Sequence, residues 1–144
     1  MMTDARLTGY LNRAAAHELG AVQQYLAQAR LLHYWGIQDL AQQFEADAQE
    51  ELTHFSLLAD ALVSLGSAPQ AGLLPAARLG RTLQEMLVLN CELEVSAIRL
   101  YEEAAGYCAR WRDARHQELF AHLARDEAEH LQMLEQMLRQ PRAA

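Results

Sequence analysis

The sequence predicts an all-α fold, a four-helix bundle with a long crossover between helices 2 and 3. Three observations predict it. Ala, Leu, Glu, Gln and Arg dominate, and only 3 Pro and 7 Gly interrupt 144 residues, so helix formers are abundant while β-branched residues are scarce. Apolar residues recur every three or four positions along four stretches, the period of a helix with one buried face. The chain also repeats itself: a shift of 76 carries Leu11 onto Leu87, Tyr25 onto Tyr101, Trp35 onto Trp111, Phe44 onto Phe120 and Leu62 onto Leu138.

The first helix is expected over about 4–34, on the stripe Leu7, Leu11, Ala14, Glu18, Ala21, Tyr25, Ala29 and Leu32. Trp35-Gly36 ends it, because glycine readily adopts the geometry that stops a helix. The second helix, about 37–65, carries Ile37, Leu40, Phe44, Ala48, Glu51, Phe55, Leu58, Leu62 and Leu65. So short a break makes these two antiparallel neighbours. Gly66, Pro69, Gly72 and Pro75 then break the helical pattern over a crossover of about 66–79. Extended, that segment covers up to ~45–50 Å, the length of such a helix, which lets helices 2 and 3 run parallel. The third helix, about 80–110, shows Leu83, Leu87, Asn90, Glu94, Ala97, Tyr101, Ala104 and Cys108. The fourth, about 114–139, opens on Asp113 as N-cap, carries Phe120, Ala124, Glu127, Leu131, Leu134 and Leu138, and is stopped by Pro141. All of 1–144 is expected to form one domain, large enough to bury a core without disulfides.

Net charge is −7 without a basic tail or run, so no nucleic-acid partner is expected. No apolar stretch approaches the ~20 residues of a membrane span, and the first residues lack the apolar segment of a secretory signal. Cys91 and Cys108 fall on one predicted helix roughly 25 Å apart and cannot bridge each other. The expected location is the cytoplasm.

The same shift of 76 also superposes polar residues. Glu18 maps onto Glu94, Glu51 onto Glu127 and His54 onto His130. Each half thus holds one Glu and, 33 positions later, a Glu-x-x-His. All four carboxylates lie on apolar stripes, where an uncompensated charge is very costly. Residues i and i+3 share a helix face, so Glu51/His54 and Glu127/His130 each aim two donors at one point. Two divalent ions would balance four glutamates, with two neutral imidazoles completing a paired site inside a bundle. Carboxylates with one imidazole per metal suit iron or manganese; zinc would fit the site but would not change oxidation state. A lone Glu-x-x-His is weak evidence; two copies with matched partners on core stripes are specific. The rival is a structural bundle whose polar core is satisfied by hydrogen bonds or water.

Tyr25, two turns after Glu18, is a candidate to hydrogen-bond a ligand or supply an electron, against an ordinary buried tyrosine. Tyr101 is its mate. Cys91 is expected to be a small core residue, Trp35 and Trp111 to cover bundle ends, and His17, His33, His116 and His122 to be solvated.

With these residues placed, the chain resembles the bacterioferritin family over nearly its whole length. The resemblance rests on Tyr10-Leu-Asn, Glu18-Leu, Gln24-Tyr25, Trp35-Gly36, Glu51-x-x-His54, Leu65-Gly66 before Pro69, Glu92-Leu-Glu94 and Asp126-Glu127-x-x-His130. It implies a ferritin-like four-helix subunit that oxidises Fe(II) with O2 or H2O2 at a di-iron ferroxidase centre. It further implies Glu18 and Glu94 as terminal ligands, Glu51 and Glu127 as bridges, and His54 and His130 one per iron. Homo-oligomerisation is expected, or co-assembly with a haem-binding bacterioferritin-type subunit. Two departures stand out. The family binds haem through a Met directly after the first bridging Glu; here that residue is Leu52, so haem is not expected. The short fifth helix of the family's twenty-four-subunit cage has no counterpart before Ala144, and the extra iron-binding His of some members falls on Ala46. Alternative readings are a rubrerythrin-like peroxidase, a cage or storage subunit without fast turnover, or a structural bundle. Ala97 stands where a rubrerythrin's further Glu is expected, and no Cys-x-x-Cys occurs.

Overall fold

The computed structural model describes residues 4–70, 72 and 74–140. Within them the chain forms four helices: α1 (Ala5–Tyr34), α2 (Gln38–Ser64), α3 (Leu83–Arg110) and α4 (Ala114–Arg139). No strand occurs among the described residues, and none of their helices is long and apolar enough to cross a membrane. The contacts divide the chain into two compact units, residues 1–79 and 80–144.

In the first unit, α1 packs along α2. Asp4 caps α1, its Oδ1 accepting from the backbone N–H of Arg6 at 3.0 Å and of Leu7 at 3.2 Å, which satisfies two of the orphan donors at a helix start. At the other end Gly36 takes φ 80°, and the Ile37 N–H reaches back to the Leu32 carbonyl at 2.9 Å. That is a glycine-closed helix end. Every residue of the α1 stripe is buried, as are Leu40, Phe44, Ala48, Glu51, Leu58 and Leu62 of α2. Ile37, Phe55 and Leu65 are half-buried. Gly66 at φ 77° closes α2 in the same way, with Ser67 N–H donating to the Leu62 carbonyl at 2.9 Å.

The crossover is tied to α1 rather than left loose. Gln70 N–H donates to Asn12 Oδ1 at 3.0 Å. The Arg78 peptide is gripped on both sides: its N–H donates to Gln24 Oε1 at 3.2 Å and its carbonyl accepts from Gln28 Nε2 at 2.9 Å. From Asn12 to the Gln24/Gln28 pair is roughly 20 Å of helix, so the anchors at 70 and 78 follow one another along α1 in its own direction.

In the second unit, α3 packs along α4. α3 begins at Leu83, a few residues later than the sequence predicts, because Thr82 is the cap. Its hydroxyl accepts from Glu85 N–H at 3.1 Å, while Glu85 Oε2 accepts from Arg81 N–H at 2.7 Å. Gly80 before it holds φ 84°, and a Cβ there would lie 2.8 Å from Met86 N, so only glycine fits. Asp113 caps α4 by accepting from His116 N–H at 3.2 Å. The turn repeats that of the first unit, with Asp113 N–H donating to the Cys108 carbonyl at 2.9 Å and Arg112 at φ 58° in the place of Gly36. α4 ends at Arg139; Pro141 lies outside the described residues.

Several expectations need correction. His116 is buried, not solvated, because Asp113 bonds both its backbone and its ring, with Nδ1 at 2.7 Å from Oδ2. His17 is half-buried, and His33 half-buried against Gln38 and Glu45; only His122 is exposed. Trp111 is 71% exposed and covers little, and Trp35 is 36% exposed. Cys91 is half-buried while Cys108 is fully buried, and both lie on α3.

Candidate metal centre

Each helix pair brings one Glu/Glu/His trio together. In the first unit α1 supplies Glu18 and α2 supplies Glu51 and His54. All three are buried. His54 Nδ1 stands 3.6 Å from Glu18 Oε2 and 3.7 Å from Glu51 Oε1. In the second unit α3 supplies Glu94 and α4 supplies Glu127 and His130, again buried. His130 Nδ1 lies 3.9 Å from both Glu94 Oε2 and Glu127 Oε1. Within either trio, one donor atom from each residue lies within 4.8 Å of the other two.

These separations suit a metal better than direct pairing. At 3.6–3.9 Å an imidazole nitrogen and a carboxylate oxygen are beyond hydrogen-bond length. Donors bound to one ion at about 2.1 Å stand roughly 3–4 Å from each other, which is the spacing found. The charge also fits: two carboxylates and one neutral imidazole per trio match one divalent cation, and burial makes the uncompensated form costly. Oxygen and imidazole donors without thiolate favour Fe(II), Mn(II) or Zn(II) over soft metals.

The i,i+3 spacing on α2 and α4 carries the geometry. It stacks each His on the same face as its Glu, and the lone Glu of α1 or α3 faces that pair because its stripe is the packed one.

Tyr25 is buried two turns along α1 from Glu18, edge-on to Phe44 with ring centroids 5.2 Å apart and planes at 88°. Its counterpart Tyr101 meets Phe120 differently, at 6.2 Å and 31°. Leu52, beside Glu51 on α2, is 40% exposed and points a hydrocarbon side chain outward. Sequence reasoning quoted Gln24 only within the family motif and passed over Gln28; both are buried beside the α1 stripe and hold the crossover. It also missed the Asp113–His116 pair, for which Asp-x-x-His at a helix start was the available signal.

The fold and its buried donor set define a ferritin-like protein, and the sequence matches the family model for a ferritin-like domain over residues 8–144. It is 32% identical over 135 residues to the bacterioferritin of Rhodobacter capsulatus, spanning 94% of this chain and 84% of that one. It is 30% identical over 138 residues to the bacterioferritin of Brucella melitensis, spanning 96% and 86%. A bacterial ferritin of Synechocystis is 29% identical over 129 residues, spanning 89% and 83%. Within the ferritin-like proteins, this chain belongs to the bacterioferritin family.

Proposed function

We propose that this chain is a di-iron ferroxidase subunit that takes up Fe(II), oxidises it with O2 or H2O2, and serves iron storage or detoxification. The observation that carries the reading is that each helix pair buries a Glu/Glu/His trio whose donor atoms converge. The resemblance to bacterioferritins extends this reading to the ligand roles. Glu18 and Glu94 are terminal ligands, Glu51 and Glu127 bridge, and His54 and His130 each hold one ion. Two Fe(II) held side by side deliver two electrons together, so O2 with two protons gives H2O2, or H2O2 with two protons gives two waters. The protein's own part is positioning. The four carboxylates attract and neutralise the cations, the i,i+3 pairs fix their spacing, and burial keeps bulk water away. Tyr25 supports the site from two turns along α1, as a hydrogen-bond donor or a source of a further electron.

Ala97 is fully buried and offers no carboxylate one turn after Glu94, which disfavours a rubrerythrin-like peroxidase. Leu52 offers no iron-ligating atom, which disfavours haem by the family's route. The chain works in the cytoplasm as a homo-oligomer. Anaerobic titration should saturate at about two Fe(II) per chain, the count of a two-metal site. Oxidation should be severely slowed in His54→Ala and in His130→Ala, since a single remaining iron cannot supply both electrons. Saturation at one iron, or a wild type no faster than Glu94→Ala, overturns the reading. Particle size on iron-loaded protein then separates storage from oxidation alone.

A further inference from the structure

The turn between α3 and α4 departs from the internal repeat at its left-handed residue. Gly36 holds φ 80° in the first unit, and its counterpart in the second is Arg112 at φ 58°. A residue with a Cβ is disfavoured in that region, and such strain persists where another role retains the side chain. Arg110, Trp111, Arg112 and Arg115 are all exposed around the turn. The Trp111 indole, 71% exposed, leans on the buried Tyr107 ring at 6.4 Å between centroids, which backs it from behind.

The charges of this corner are unanswered locally. Arg30 pairs with Glu45, and Arg125 pairs with Glu118, but Arg110, Arg112 and Arg115 form no ion pair among the described residues. Asp113 is engaged by His116 through both oxygens. Earlier on α3, Glu102 and Glu103 are adjacent, exposed and likewise without an ion pair among the described residues. Seven residues, about 10 Å along the axis, separate Glu103 from Arg110, and the two charge groups do not meet within one chain.

We propose that the Arg110–Trp111–Arg112–Arg115 corner docks on the Glu102–Glu103 pair of a second copy of this chain. Arg and Trp are the residue types that dominate protein contacts, an aromatic anchor burying area while guanidiniums pair with carboxylates at its rim. Both halves of that complementarity are present on this chain, the exposed arginines on one copy and the exposed Glu102–Glu103 pair on the other. The inference rests on the homo-oligomer reading above and specifies its contact surface.

The test is light scattering on the full chain across a salt series, with helix content followed by circular dichroism. The wild type is expected to assemble at low salt and to loosen as salt rises, because exposed pairs are screened. Arg110→Glu/Arg112→Glu/Arg115→Glu is expected to give a smaller particle with unchanged helix content, and adding Glu102→Arg/Glu103→Arg to restore the larger one. Arg112→Gly is expected to raise the melting temperature while weakening assembly, a combination that a purely structural arginine would not produce. Trp111→Ala is expected to reduce assembly while retaining Fe(II) binding. Charge-reversed variants of wild-type size, or loss of assembly without rescue, overturn the proposal. A wild type that is monomeric at every salt concentration, with Fe(II) oxidation intact, overturns the homo-oligomer reading itself.

Discussion

If the buried trios hold metal as proposed, metal binding and folding should be coupled through the interior carboxylates, and that coupling is measurable without turnover. Glu18, Glu51, Glu94 and Glu127 are each no more than 1% exposed. Without metal, each unit would hold two like charges, Glu18 with Glu51 and Glu94 with Glu127, where water cannot screen them. Zn(II) or Mn(II) at a hundredfold its dissociation constant stabilises the native state by roughly 2.7 kcal/mol per site, about 5 kcal/mol for two. At ~2–4 °C per kcal/mol for a chain near this size, the melting temperature should rise by about 10–20 °C. The assay is thermal melting by circular dichroism on chelator-stripped protein, with and without metal. Glu51→Gln and Glu127→Gln should each melt higher than the stripped wild type, because a buried charge is gone, yet gain little from metal. An unchanged wild-type midpoint, or an equal metal-dependent gain in Glu51→Gln, would refute the reasoning.

Leu52→Met places a thioether on the exposed face of α2 and should confer haem binding on a dimer, read as a low-spin absorption spectrum that the wild type lacks; stoichiometric haem in the unmodified chain would contradict this. Gly80→Ala should destabilise by at least ~1–2 kcal/mol, the cost of a side chain at positive φ, and by more because the new Cβ meets Met86 backbone at 2.8 Å; denaturant unfolding measures it. Cys91 should alkylate slowly in native protein at neutral pH, since burial pushes its thiol up and the nearby Glu135 and Glu92 push it further. The thiolate is the reactive form, so the rate should climb as pH rises and jump on unfolding. Rapid labelling at neutral pH would show a thiol far more open than the structure has it.

The donor trios were legible because their constraint is written in spacing: a partner 33 positions away and a Glu-x-x-His on each apolar stripe. Helical periodicity is a strong signal over helices this long. What escaped was carried by backbone partners. Gln24 and Gln28 bond the peptide of Arg78, and a peptide group has no residue type to recognise. Arg112 at φ 58° escaped because glycine, not arginine, is the usual marker of that conformation. His116 escaped because its burial follows from the cap at Asp113 rather than from its place on a stripe. The start of α3 shifted for a similar reason, with Thr82 and Glu85 fixing it more tightly than the apolar pattern did.

The fastening of the crossover onto α1 has a consequence for how this lineage can vary. Asn12, Gln24 and Gln28 grip main-chain N–H and C=O groups of the crossover, and every amino acid except proline brings both. These anchors of the strap therefore rest on what all sequences share rather than on a particular side chain at 70 or 78. Among single replacements at 70 and 78, proline alone would remove an anchor outright. Homologues should accordingly be alike in these three α1 amides and unlike in the segment they hold.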